Sequence, residues 1–184
     1  MSEASPGRRG EQGRRRWTPA DVLSASRIPL AVGFVLVSDP GWRLGIVGAA
    51  AASDLLDGPL ARRFGSSALG TVVDPIADKL FMACAFGVVA FSGELEPYEI
   101  AAVLLRDFVA AVAFVSTLLS REPRAIPARP GGKAVTVAQV LTLVAFLLGS
   151  PLLRPMAWAT GAIAIYAIWD YYRAAPRAQR RVGE

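Results

Sequence analysis

Residues 53–79, SDLLDGPLARRFGSSALGTVVDPIADK, set four aspartates, Asp54, Asp57, Asp74 and Asp78, within or beside two otherwise apolar stretches. An aspartate at the centre of a bilayer helix costs about 2.5 to 3.5 kcal/mol, so four of them need a compensating reason. Spacing supplies one. Asp54 and Asp57 are three apart and Asp74 and Asp78 four apart, so each pair occupies one face of its helix. The break at Gly65-Ser66-Ser67 folds the two helices into an antiparallel hairpin, in which the pairs can converge. Four close carboxylates repel one another or take up protons unless cations neutralise them. The chain has no histidine and one cysteine, and oxygen-only ligands favour Mg²⁺ or Mn²⁺ over zinc. A divalent metal site built from the four aspartates is the economical reading.

Gly58, Ala61 and Gly70 sit on or near the same helix faces and would let a ligand or a neighbouring backbone approach closely. Arg62 adds a permanent cation, suited to gripping a phosphate-bearing ligand in bidentate fashion. The plainer alternatives are proton-relay or ion-pair aspartates, with Arg62-Arg63 as a membrane anchor. Those suit an isolated Asp better than four at these spacings with Gly, Ala and Arg interleaved.

The surrounding chain is that of an integral membrane protein. Of its 184 residues 53% are hydrophobic and only 19% charged, and the mean hydropathy is +0.40, too apolar for an ordinary soluble domain. Six apolar segments stand out, Val22–Val37, Trp42–Leu60, Ala68–Phe91, Ile100–Leu119, Ala134–Leu148 and Met156–Tyr172, giving an all-α fold of six transmembrane helices. Turn chemistry separates them at 38–41, 65–67, 92–97, 121–132 and 149–151. The net charge of +5 sits in juxtamembrane clusters, which an anionic lipid surface explains better than nucleic acid, since no recognition module accompanies them. Arg62-Arg63, the 121–133 loop and the Arg173 to Arg181 stretch alternate with sides carrying Asp39, Glu94 and Glu96. Both termini and the polar site are therefore expected on the cytoplasmic side of the cell inner or plasma membrane. Residues 1–17 are expected as a disordered basic tail, 18–173 as the helical domain and 174–184 as a second basic tail. The absence of histidine excludes a Ser-His-Asp hydrolase and any imidazole base, and Cys84, in an apolar stretch, reads as a packing residue.

Asp54-x-x-Asp57-Gly58-x-x-Ala61-Arg62 followed by Gly70-x-x-x-Asp74-x-x-x-Asp78 resembles the signature of the CDP-alcohol phosphotransferases, and the six-segment layout agrees with that family's fold over roughly residues 18–172. Seven residues separate Arg62 from Gly70 where many members have eight or more. The resemblance implies attack by an acceptor hydroxyl on the phosphorus attached to the diacylglycerol of CDP-diacylglycerol, with release of CMP. By similarity Asp54, Asp57 and Asp74 hold two metals, joined by Asp78, which is also the base. Asp57, Gly58, Ala61, Arg62 and Gly70 line the CDP site. No covalent enzyme intermediate is required.

Arg27, Lys79, Arg106, Arg124, Arg129 and Lys133 flank the expected cytoplasmic mouth, and some should bind the acceptor phosphate; Arg27, Arg106, Arg124 and Lys133 are the candidates. An arginine on a positive-inside loop, or an Arg106–Asp107 pair, also has a purely structural reading. Gly132-Lys133-x-x-Thr136-x-x-Gln139 resembles the glycerol-phosphate branch of the family and favours glycerol 3-phosphate as acceptor. Arg106-Asp107 is also similar to the CMP-forming cardiolipin synthases, whose acceptor is phosphatidylglycerol; an inositol phosphate is third. A different class of reading, a small cation or proton transporter, predicts ion flux without CMP and leaves the Gly and Ala spacing unexplained. A homodimer is a family-level expectation, and Gly45, Gly48, Ala49 and Ala52 suit either an intermolecular or an internal helix interface.

Overall fold

A computed structural model of the chain describes residues 18–64, 67, 70–119 and 130–180. Among them the structure is entirely helical: α1 (Pro19–Leu36), α2 (Pro40–Phe64), α3 (Gly70–Ser92), α4 (Pro97–Leu119), α5 (Pro130–Leu147) and α6 (Leu153–Arg180). Each of the six apolar segments becomes one helix. Four of the helices begin on proline, whose fixed φ suits the first helical position and whose missing N–H costs nothing there. That is why α4 and α5 start earlier than their apolar residues alone suggest. α6 runs eight residues past Tyr172, through Pro176, so the basic tail expected from residue 174 is helical as far as Arg180. The expected N-terminal tail and residues 181–184 lie outside the described residues.

The chain divides into two compact units, Met1–Cys84 and Ala85–Glu184, with the boundary inside α3. In the first, Thr18 and Asp21 form a capping box: Asp21 N–H donates to Thr18 Oγ1 at 3.3 Å, and Thr18 N–H to Asp21 Oδ2 at 2.7 Å. α1 is an inside-out helix. It buries Asp21, Ser24 and Arg27 together with Ala20, Ala31 and Phe34, and turns Val22, Ile28, Val32 and Val35 outward. α1 packs on α2, and Phe34, fully buried, meets the edge of Phe81 with ring centroids 6.1 Å apart. Arg43 donates from Nε to the Phe34 carbonyl at 3.1 Å and holds its guanidinium 5.3 Å from the Phe34 ring centroid, fixing the α1–α2 turn.

In the second unit α4 and α5 both pack on α6. A Cβ on Gly161 would lie 3.0 Å from Ala102 Cβ, so a glycine is what lets α4 and α6 approach here. Thr142 and Thr160, both fully buried, join α5 to α6 through a 2.9 Å hydroxyl contact. Beyond α5, Gly149 takes φ +58° while Ser150 N–H donates to the Ala145 carbonyl at 2.9 Å, closing the helix end.

Large apolar side chains are exposed in both units, among them Leu36, Trp42, Leu55, Phe91 and Phe108. Among the described residues one helix, Pro19–Leu36, is long and apolar enough to cross a membrane. Gly45, Gly48, Ala49 and Ala52 are exposed, and a Cβ on either glycine would meet nothing within 4 Å, so neither glycine serves an internal interface among the described residues.

Phe34→Ala removes a fully buried ring and is expected to cost about 3 to 5 kcal/mol, whereas Phe91→Ala, at an exposed position, is expected to change stability by less than about 0.5 kcal/mol. Thermal unfolding of the two variants in detergent checks this ordering.

Candidate functional site

The polar centre of the first unit is organised by a buried arginine. Arg27 reaches from α1 to α2 and α3, and its side chain is 2% exposed. Its Nε donates to Ser53 Oγ at 3.0 Å, and Nη2 pairs with Asp57 Oδ2 and with Asp54 Oδ1, the latter at 3.2 Å. Nη1 pairs with Asp74 Oδ1 at 3.1 Å. Ser24, one turn before Arg27 on the buried face of α1, donates to Asp57 Oδ2 at 3.2 Å. Ser53 hands its own proton to the Ala50 carbonyl at 2.8 Å, which leaves its oxygen lone pairs for Arg27.

Three of the four aspartates therefore come together, as their spacing predicts. Asp54 and Asp57 arrive from successive turns of α2, and Asp74 from α3. Asp57 is the buried member at 13% exposure, while Asp54 and Asp74 are half open at 53% and 50%. Asp78 follows Asp74 by one turn of α3 and is half-buried. With Arg27 standing between them, no three carboxylates among the described residues form a group ready to hold a metal ion. The donor chemistry nevertheless suits one. Asp57 Oδ1 is buried with no hydrogen-bond partner among the described residues, and three carboxylates converge on the one guanidinium of Arg27. An unpartnered carboxylate oxygen among converging carboxylates is the environment a hard divalent cation satisfies.

The small residues of the signature behave differently from one another. A Cβ on Gly58 would meet nothing within 4 Å, so this exposed position leaves open space beside Asp57. Gly70 is tight: a Cβ there would collide with the Asp21 carboxylate, and its N–H donates to Ser67 Oγ at 2.9 Å. Gly70 thus accommodates the capping box of α1 at the start of α3. Arg62 is exposed in the last turn of α2. The side chain of Ala61 lies outside the described residues.

Arg27 sits in the carboxylate cluster of the first unit, whereas Arg106 and Lys133 belong to the second. There Arg106 Nη1 pairs with Asp107 Oδ1 at 3.3 Å, and Asp107 Oδ2 accepts from Gln139 Nε2 at 2.5 Å. Gln139, 1% exposed, also donates to the Val103 carbonyl at 3.0 Å. A Cβ on Gly132 would lie 2.6 Å from Arg106 Nη2, so the glycine gives the guanidinium its place beside α5, one residue from exposed Lys133. Thr136 spends its hydroxyl on the Gly132 carbonyl at 3.3 Å. Arg124 and Arg129 lie outside the described residues.

Sequence reasoning did not single out Ser24, Ser53 and Asp21, nor the link between Gln139 and Asp107. One signal was available: an arginine inside an apolar stretch must find carboxylates, and the surplus of aspartate lay on the next two segments.

A model of the family described as CDP-alcohol phosphatidyltransferase matches residues 17–169. A Mycobacterium tuberculosis protein provisionally named a cardiolipin synthase is 31% identical over 166 residues, covering 84% of this chain and 76% of its own. Human cardiolipin synthase (CMP-forming) is 33% identical over 118 residues, 60% of this chain and 39% of the human one. A second M. tuberculosis protein, provisionally named a phosphatidylglycerophosphate synthase, is 32% identical over 124 residues, 67% of this chain and 57% of that protein.

Gly70→Ala is expected to displace Asp21 from its cap and cost about 1 to 2 kcal/mol. In an Asp21→Ala background the same substitution should cost measurably less, and a double-mutant cycle on thermal unfolding reads the difference.

Proposed function

The chain belongs to the CDP-alcohol phosphatidyltransferase family, and from that membership we propose that it transfers the phosphatidyl group of CDP-diacylglycerol to a glycerol-type hydroxyl, releasing CMP. The observation that carries the reading furthest is the meeting of Asp54, Asp57 and Asp74 around Arg27, with Asp57 Oδ1 buried and without a hydrogen-bond partner among the described residues. Asp54, Asp57, Asp74 and Asp78 would hold two divalent ions, Mg²⁺ or Mn²⁺. Bound there, such ions supply positive charge that neutralises the pyrophosphate and steadies the departing phosphate.

The chain's own groups do the rest. Asp78 takes the proton of the acceptor hydroxyl as its oxygen bonds to the phosphorus that carries diacylglycerol. The bond from that phosphorus to the bridging oxygen breaks, and CMP leaves with the electron pair. Arg62, exposed at the end of α2, grips a phosphate of the CDP moiety through its two-pronged guanidinium. Gly58 leaves open space beside Asp57 for the nucleotide to approach.

Phosphatidylglycerol is the acceptor we favour. Arg106 already shares its charge with Asp107, which suits a singly charged phosphodiester better than the dianion of glycerol 3-phosphate. The 31% identical mycobacterial relative named for cardiolipin synthesis also matches over more of the chain than the one named for phosphatidylglycerophosphate synthesis. Glycerol 3-phosphate stands as the second reading, on the strength of the latter relative and of exposed Lys133.

The family is membrane-associated. We extend this to six crossings with both termini and the active site on the cytoplasmic side. The inside-out character of α1 and the exposed apolar side chains of both units support that extension.

Purified protein in detergent, given CDP-diacylglycerol and Mg²⁺, is expected to release CMP when phosphatidylglycerol is added. Dependence on glycerol 3-phosphate alone would instead assign phosphatidylglycerophosphate synthesis, and no CMP with any alcohol would overturn the transferase reading. Asp78→Asn should lower turnover by at least about a hundredfold with the fold retained, because an amide cannot take the proton. Gly58→Ala should stabilise α2 by about 0.5 to 1 kcal/mol in unfolding measurements while raising the apparent KM for CDP-diacylglycerol, since the methyl fills space reserved for the nucleotide.

A further inference from the structure

Arg27 makes four polar contacts, and three of them are to Asp54, Asp57 and Asp74, the carboxylates proposed to hold the metals. From this coincidence we infer that Arg27 is a built-in counter-cation, whose guanidinium and the divalent metal compete for the same three carboxylates. The inference rests on the metal-dependent reading of the site and adds a residue that sets how readily the site loads.

The geometry argues for competition in two ways. Arg27 occupies Asp57 Oδ2, Asp54 Oδ1 and Asp74 Oδ1 at once, one oxygen from each proposed ligand. A divalent ion held by these aspartates would draw on the same three carboxylates whose charge the guanidinium now shares. Charge points the same way, since a guanidinium and a divalent ion sharing one partly buried cluster repel each other. The arginine does not satisfy every oxygen of the cluster: Asp57 Oδ1 is buried with no hydrogen-bond partner among the described residues.

The anchoring of Arg27 gives it two states to choose between. Its Nε bond to Ser53 Oγ does not involve a proposed ligand, so this contact can persist while the Nη groups yield their carboxylates. Ser24, on the same face of α1, divides its one proton between the Ala20 carbonyl and Asp57 Oδ2, each at 3.2 Å. A metal held by Asp54, Asp57, Asp74 and Asp78 would take over part of the charge that Arg27 now neutralises between α1 and its two neighbours. In this role Arg27 is a positioning residue for the carboxylates, and its expected effect is on metal occupancy before it is on turnover.

The test is a thermal-unfolding titration with Mn²⁺ or Mg²⁺ of the full chain in detergent, starting from EDTA, for the wild type, Arg27→Gln, Arg27→Lys and Ser53→Ala. Arg27→Gln should melt lower than the wild type in EDTA, show a larger metal-induced rise, and reach half of that rise at a metal concentration about tenfold lower or less. Arg27→Lys, which keeps the charge, should remain close to the wild-type midpoint. Ser53→Ala keeps every carboxylate and loosens only the Nε anchor; it should shift the midpoint in the same direction by a smaller factor, and it carries the test if Arg27→Gln does not fold. A midpoint for Arg27→Gln or Ser53→Ala equal to or higher than that of the wild type, with the wild type still responding to metal, overturns the competition and leaves the metal site standing. Absence of any metal response in wild type and variants alike overturns both. Because the readout is melting temperature, the outcome does not depend on CMP release.

Discussion

The guanidinium of Arg27, set among Asp54, Asp57 and Asp74, is the interaction on which the arrangement of α1, α2 and α3 depends. Removing one partner of a buried ion pair leaves the other charged in a poor solvent, which costs far more than the pair contributes. Here one arginine answers three carboxylates, so its loss would leave several charges uncompensated at once. The surrounding polar groups follow from this constraint. Ser53 takes Nε, Ser24 takes a share of Asp57, and α1 turns its polar face inward and its apolar face outward to deliver them.

The second unit solves a similar problem with a chain of shorter reach. Asp107 stands between Arg106 and Gln139, and buried Gln139 is anchored by the Val103 carbonyl. Gly132 leaves the room that Arg106 occupies. The result is an arginine held in a defined place yet still 28% exposed. Glu99, capping α4 through Glu96 N–H at 2.9 Å, is used structurally, and the Thr142–Thr160 pair is likewise a means of joining helices.

The amino-acid sequence determined the helices, because apolar runs broken by Gly, Ser, Asp and Pro leave few alternatives, and it determined that Asp54, Asp57 and Asp74 meet, because i, i+3 spacing and a short turn bring them to one place. The extension of α6 past Tyr172 was not legible, because basic character suggested a tail and Pro176 disfavours a helix interior. Tertiary structure alone decided what Arg27 touches. Its place in the chain says that it is a cation in an apolar segment, and a cation of that kind can serve an acceptor phosphate or a carboxylate; which one it meets depends on how α1 is rotated against α2, a long-range packing outcome. The same holds for the glycines. Gly58 and Gly70 look alike in the signature, but one faces open space and the other a capping carboxylate, because only the folded chain brings Asp21 to the start of α3.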